Sequence, residues 1–217
     1  MIHHLKSVLF GLGILLLLSS GCTQKEKEHQ AVITTEFGDI TILLYNSTPK
    51  HRDNFIKLVN EGYYTDLLFH RIIRNFMIQG GDPQSKGAEP GRVLGGGGPG
   101  YTIDAEIGAP HIRGAIAAAR TPNAEKASSG SQFYIVTGKE ISPQELLQTE
   151  LSKKIKYNET QKKLYLEEGG YPSLDMEYTV FGEVMSGMDV VEKISMSQAD
   201  DRDRPLKDVK MSIKMIK

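Results

Sequence analysis

Three short stretches of this sequence carry side chains that a strand at the same place would not require. In Phe69-His70-Arg71-Ile72-Ile73 the two-residue alternation of an extended chain sets Arg71 on the face opposite His70 and Ile72. In Phe76-Met77-Ile78-Gln79 it puts Met77 with Gln79 and turns Ile78 away. In Ser131-Gln132-Phe133-Tyr134-Ile135 it puts Gln132 with Tyr134 and leaves Phe133 and Ile135 for a core. If these second faces meet, they form an apolar cup of Met77, Tyr134 and Phe76, rimmed by a fixed cation and two amides. Such a cup suits a small apolar ring attached to a polar backbone. Other candidates carry less. Gly95 to Gly98 lacks the Gly-Lys-Ser/Thr ending of a phosphate loop and precedes Pro99 rather than a helix, so it reads as a mobile surface loop. The six histidines, at positions 3, 4, 29, 51, 70 and 111, show no metal spacing, and His70 reads as a hydrogen-bonded core residue.

The elements that must position these residues are mostly strands. Residues 31–36 and 40–45 are rich in Val, Ile, Thr and Leu and meet at Gly38-Asp39, which predicts a hairpin. Thr48-Pro49 supplies an N-cap with proline at the first helical position, and Phe55, Ile56, Leu58 and Val59 share a helical face that ends at Gly62. Residues 67–73, 76–79, 112–119, 132–137, 179–184 and 209–216 carry strand character, and 188–194 a short helix. Nine of the 22 glycines fall between Gly80 and Gly100, so that segment is a long loop. Many short strands with two helices predict a β-barrel capped by helices. One segment breaks the rhythm. Ser142-Pro143-Gln144-Glu145 and Asn158-Glu159-Thr160-Gln161 each carry a helix-start signal, and Gly169-Gly170 a stop, so residues 141–171 predict an inserted helical hairpin. Its Leu146, Leu147, Leu151, Ile155, Leu164, Tyr165 and Leu166 can make one packed face, with Lys153, Lys154, Lys162 and Lys163 on the wet side.

Residues 69–82 and 130–135 closely resemble the two signature stretches of the cyclophilin family of peptidyl-prolyl cis-trans isomerases. Gly98-Pro99-Gly100-Tyr101 with Glu106, residues 114–119, Leu174-Asp175 and residues 180–184 support the match, which runs in order from residue 31 to 217 around the hairpin. The resemblance implies a mainly β fold, a closed eight-stranded antiparallel barrel capped by two helices, with the active site on its outside. It implies an enzyme that rotates X-Pro bonds in proline-containing polypeptides, with no covalent step, no cofactor and no metal, acting as a monomer. By carry-over the proline ring sits among Phe76, Met77, Tyr134 and Leu174. Ala119 and Gln132 lie at the edge, Arg120 and Tyr178 also touch substrate, and Gln79 holds the catalytic Arg71. As the amide twists, its nitrogen gains a lone pair that a guanidinium donor favours over the planar ground state. The barrier is about 18 to 20 kcal/mol, and a ~10⁵-fold acceleration needs about 7 kcal/mol of preferential transition-state binding. With no proton exchanged, the rate is expected to be nearly flat between roughly pH 6 and 9. Four positions depart from the common pattern: Arg120 for Asn, Tyr134 for Phe, Ser173 for Trp and Tyr178 for His. The alternative reading is a peptide-binding module of the same fold with little turnover.

The 217 residues hold 26 basic and 27 acidic side chains, a net charge of -1, and 39% hydrophobic residues. That composition excludes disorder as the main state and removes any bulk electrostatic argument for nucleic acid. The single cysteine excludes an internal disulfide. It follows an apolar run at residues 8–18, too short to span a bilayer, and the sequence Leu18-Ser19-Ser20-Gly21-Cys22 resembles a bacterial lipobox. The resulting expectation is a signal peptide at 1–21, a lipidated Cys22 with a polar tether to residue 30, and one domain at 31–217. Thr23 after the cysteine resembles the outer-membrane sorting pattern, which would place the domain in the periplasm, assisting the folding of exported proteins.

Overall fold

The computed structural model describes residues 28–217, so the expected signal peptide, Cys22 and most of the tether lie outside the described residues. The first hairpin joins β1 (His29–Thr35) to β2 (Gly38–Leu44) in antiparallel register, with Thr35 opposite Gly38. Its turn is Glu36-Phe37, earlier than the expected Gly38-Asp39, and Gly38 closes it at a φ of 128°, which residues with a Cβ rarely adopt. β1 begins inside the segment read as tether, and Gln30 exchanges backbone hydrogen bonds with Ile216 and Lys217.

The remaining strands are β3 (Leu67–Leu68), β4 (Arg71–Ile73), β5 (Met77–Gly80), β6 (Thr102–Ile103), β7 (Ala115–Ala118), β8 (Ser128–Ser129), β9 (Phe133–Val136), β10 (Val180–Ser186) and β11 (Lys210–Met215). Nine of them form one curled antiparallel sheet in the order β3-β11-β1-β2-β10-β7-β9-β5-β4, while β6 and β8 make a small separate pair. The closed, eight-stranded barrel is therefore corrected to a nine-stranded half-barrel, with no ladder joining β3 to β4. The physical reason lies at Phe69-His70. There the chain leaves one edge of the sheet and enters the other: the Phe69 N–H donates to Val209 and the His70 N–H to Gln79. The two edges are successive pieces of one segment, held by covalent continuity instead of a shared ladder.

Alternation along the strands divides the side chains into two clusters. Ile33, Ile42, Ile72, Ile78, Phe133 and Ile135 point into the curl, where they meet apolar faces of two helices, α1 (Pro49–Asn60) and α4 (Met188–Ser195). Met77, Ala117, Tyr134, Val136 and Val180 point outward and form a second cluster with Phe76, Leu174 and Tyr178. α1 starts at Pro49 as expected, but Thr48 does not cap it through its side chain; its hydroxyl donates back to the Tyr45 carbonyl at 3.4 Å. The free N–H groups of Lys50 and His51 donate instead to the Glu106 carboxylate, at 3.1 and 3.0 Å. A carboxylate there satisfies two orphan donors and meets the positive end of the helix dipole.

The inserted hairpin is α2 (Pro143–Lys153) and α3 (Glu159–Glu168). Ser142 accepts from the Glu145 N–H, and Asn158 and Gln161 form a reciprocal capping box, as their spacing predicts. The packed face is smaller than expected. Leu146 and Tyr165 are buried with Ile141 and Tyr157, and Ile155 packs at their edge. Leu147, Leu151, Leu164 and Leu166 are exposed, because two short helices packed along one side can cover only one stripe.

Candidate active site

The side chains singled out for chemistry fall on one cross-strand row. Arg71 of β4 stands opposite Gln79 of β5, Gln79 opposite Tyr134 of β9, and Tyr134 opposite Ala117 of β7. In the next register step Ile73 faces Met77 and Met77 faces Val136. Because the row lies on the outer face, these residues are free of the core and floor a cleft of about 300 Å³. Arg71, Phe76, Met77, Gln79, Ala119, Arg120, Tyr134, Leu174 and Tyr178 all line it. Gln132 lies just behind, beside a second depression that shares Gln79, Ala119 and Arg120.

The polar groups are held differently from the expectation that Gln79 holds Arg71. The Gln79 amide donates to Gln132 Oε1 at 3.0 Å, and Gln132 Nε2 donates onward to the carbonyls of Gly95 and Gly97 at 2.8 and 2.7 Å. Arg71 Nε donates to Asp203 at 3.2 Å, an acid 132 positions away in sequence. The glycine-rich loop is consequently stapled to the sheet instead of lying free on the surface. Asp82 fastens it from the other side, accepting the Gly95 N–H at 2.5 Å, and a Cβ on Gly97 would sit 2.1 Å from that same carboxylate.

One flank of the cleft rests on a buried network. Tyr134 hydroxyl lies 3.1 Å from His111 Nε2, and His111 Nδ1 lies 2.8 Å from Asp175 Oδ1. With Nδ1 donating to the carboxylate, Nε2 is left to accept from Tyr134. The other oxygen of Asp175 accepts from the hydroxyls of Tyr157 and Tyr165, at 2.5 and 2.6 Å. Both tyrosines belong to the hairpin, so the insertion reaches the cleft wall through two residues. Burial, reinforced by Asp175, pushes the Tyr157 and Tyr165 phenols well above their ordinary range, so they stay protonated and donate to the carboxylate. Tyr134 shifts the same way, mainly through burial and then through Tyr178 and Asp175.

Two departures from the usual pattern contact each other. The Arg120 guanidinium lies 4.9 Å from the centre of the Tyr178 ring, while Nε donates to the Glu177 carbonyl at 2.9 Å and Nη2 to its carboxylate at 3.2 Å. Tyr178 in turn packs edge-on against Tyr134 at 5.8 Å. His70, expected to be hydrogen-bonded, is buried with neither ring nitrogen satisfied among the described residues. Burial lowers its pKa to about 4, against the opposing pull of Asp82 and the Leu68 backbone. His51 is also lowered by burial, against the opposing pull of Glu106 at 2.7 Å.

Residues 30–215 match the family model for cyclophilin type peptidyl-prolyl cis-trans isomerase/CLD. The chain belongs to the cyclophilin family. A provisionally named peptidyl-prolyl cis-trans isomerase of Staphylococcus aureus (strain USA300) is 36% identical over 187 residues, covering 85% of this chain and 90% of that protein. Its counterpart from Staphylococcus haemolyticus is 33% identical over 186 residues, covering 85% and 89%. A crystal structure of a Cryptosporidium parvum cyclophilin type isomerase matches with a TM-score of 0.63 and 25% identity, over 88% of this chain and 99% of that one. The same protein has been solved in the presence of the dipeptide Ala-Pro. This cyclophilin is thus a peptidyl-prolyl cis-trans isomerase, and its row of Arg71, Gln79 and Tyr134 is built by strand register alone.

Some participants had no signal in the sequence. Asp203 and the lining residues Arg92 and Arg202 sit in loops and meet the cleft only through tertiary folding. Asp175 and His111 were visible, the first as part of a motif, but their 64-residue separation hid their pairing. Tyr157 and Tyr165 read only as hairpin residues.

Proposed function

We propose that the outward row performs the isomerisation. Phe76, Met77, Tyr134 and Leu174 would receive the proline ring, Ala119, Arg120 and Tyr178 the neighbouring backbone, and Arg71 the twisting amide nitrogen. The observation that carries this reading is the convergence of Arg71 with that apolar set in one cleft outside the core. Asp203 would aim the guanidinium, and Gln79 with Gln132 would fix the cleft floor against the glycine loop. No group needs to exchange a proton, so a nearly flat rate between roughly pH 6 and 9 follows, and a bell-shaped curve tracking a histidine would count against the mechanism.

The decisive measurement is a proline-limited refolding assay with wild type and Arg71→Ala. Losing a donor aimed at the transition state should cost about 10²- to 10³-fold in kcat/KM with the melting temperature nearly unchanged. Equal rates would favour a peptide-binding module that happens to keep the fold.

We further propose that the domain is monomeric and tethered by a lipid on Cys22 after removal of residues 1–21, on the periplasmic side of the outer membrane, where it would serve exported polypeptides. The support is the apolar run, the small residues before the cysteine and the polar stretch after it. Mass measurement of the mature N-terminus, with Cys22→Ser as the unanchored control, tests the anchor. An unmodified Cys22 would end this reading.

A further inference from the structure

We propose that the cleft selects proline segments carrying an acidic side chain beside the proline, recognised by Arg92 and Arg202. This rests on the isomerase reading and deepens it by naming a substrate class.

The lining contains five arginines, Arg71, Arg92, Arg120, Arg202 and Arg204, against one acid, Asp200. Three of the five are engaged within the protein. Arg71 meets Asp203 and Arg120 meets Glu177, while the buried Arg204 spans Asp208 and two backbone carbonyls. Asp200 is occupied too, accepting the backbone N–H groups of Arg202 and Arg204 at 2.9 and 3.0 Å. Arg92 and Arg202 are exposed and their guanidinium groups make no hydrogen bond or ion pair within 4.0 Å among the described residues, although Asp200 attracts Arg202 at longer range. Glu177 is moreover divided among Arg120, Lys126 and Lys153. The cleft lining therefore holds five arginines against one carboxylate, on a chain whose net charge is -1. Charge is concentrated at the cleft, where low-dielectric walls focus it.

The backbone that presents these two arginines is held in place. Arg204 Nη1 donates to the carbonyls of Glu89 and Arg92 at 3.0 and 2.8 Å, gripping the backbone that presents Arg92. The same Arg204 is two residues from Arg202, in a turn closed by the Asp200 N–H donating to the Arg204 carbonyl at 2.8 Å. One buried guanidinium thus joins the two loops into a single rim that carries Arg92 and Arg202, neither in a close ion pair among the described residues, at the cleft. A planar guanidinium matches a carboxylate in shape and charge. A peptide bound with its proline in the cleft would place flanking side chains against this rim, where Asp or Glu is attracted and Lys or Arg repelled.

The test compares isomerisation of short peptides differing in one residue, Glu, Ala or Lys, placed two before, one before or one after the proline. At low salt the Glu peptide should exceed the Lys peptide by roughly three- to ten-fold in kcat/KM at one or more of these positions. The ratio should shrink toward one at 1 M salt, where screening acts within about 3 Å. In Arg92→Glu/Arg202→Glu the ratio should fall to one or invert; both side chains are exposed, and an unchanged melting curve checks the fold. Equal Glu and Lys ratios at every position in wild type, or a preference that the double variant keeps, would overturn the proposal. Calorimetric titration of the same peptides separates the two readings: without turnover the isomerase reading falls, while the affinity ratios still decide the recognition.

Discussion

The two flanks of the cleft are built by opposite physics. On one side Tyr134, His111, Asp175, Tyr157 and Tyr165 form a buried chain in which the Asp175 carboxylate accepts four hydrogen bonds. On the other, Arg71 and Asp203 meet as an ion pair with both side chains 41% exposed, among loops that carry Arg92 and Arg202, neither in a close ion pair among the described residues. A buried, fully partnered network costs much to break, and so it holds a wall still. An exposed pair contributes little stability, yet leaves its guanidinium available to a substrate. Rigidity and reactivity are thereby assigned to different flanks, with the inserted hairpin serving the rigid one.

The contrast can be broken most severely at Asp175. Asp175→Ala leaves two hairpin hydroxyls, the His111 ring and its N–H without an acceptor, and stability should fall by about 3 to 5 kcal/mol in chemical denaturation. A loss below 1 kcal/mol would show that the network is replaceable by water. Acid offers a second break, at the cleft floor. Folded His70 titrates near 4 and the unfolded ring near 6.5, so the unfolded state binds a proton first as pH falls between them. Stability should therefore be full above about pH 6.5 and decline by roughly 3 kcal/mol toward pH 4. His51 adds a loss of the same sign, so His70→Leu should flatten most, not all, of that slope; an unaltered slope would contradict the assignment.

A finer cut is Tyr165→Phe, which removes one of the four donors and keeps the ring. About 1 to 3 kcal/mol of stability should be lost, with kcat/KM changing less than fivefold. A large kinetic loss without destabilisation would mean that the hairpin acts on catalysis directly. The smallest effect is expected at Asp203→Asn on the exposed flank. Stability should change by no more than about 1 kcal/mol, while kcat/KM falls a few-fold because Arg71 loses its aim. Raising the salt should reproduce part of that loss in wild type and little of it in the variant.

Much of the rigid scaffold is legible in the order of residues along the chain. The alternation in residues 76–79 and 131–135 correctly separates Met77, Gln79 and Tyr134 from Ile78, Phe133 and Ile135, because a strand has only two faces. The hairpin is legible because Ser142 and Asn158 cap their helices with neighbours three residues away. Thr48 shows the limit of such local signals. Its position predicts a cap, but Glu106, more than fifty residues on, reaches the same N–H groups with a charged acceptor and takes the role. The glycine loop misleads for a similar reason. Nine glycines in that stretch signal freedom, while the fastening by Asp82 and Gln132 depends on strands elsewhere.

The sequence by itself determined the family, the outward row of Arg71, Gln79 and Tyr134 and the presence of an inserted hairpin. Each of these follows from periodicity or from long motifs read along the chain. Only the tertiary structure decided that Gln79 serves Gln132, that Asp203 holds Arg71, that the sheet is a nine-stranded half-barrel and that the hairpin reaches Tyr134 through Asp175. The physical reason is common to all four. Strand and helix patterns are set by neighbours within a few residues, whereas a side chain's hydrogen-bond partner is whichever group the fold brings within about 3 Å.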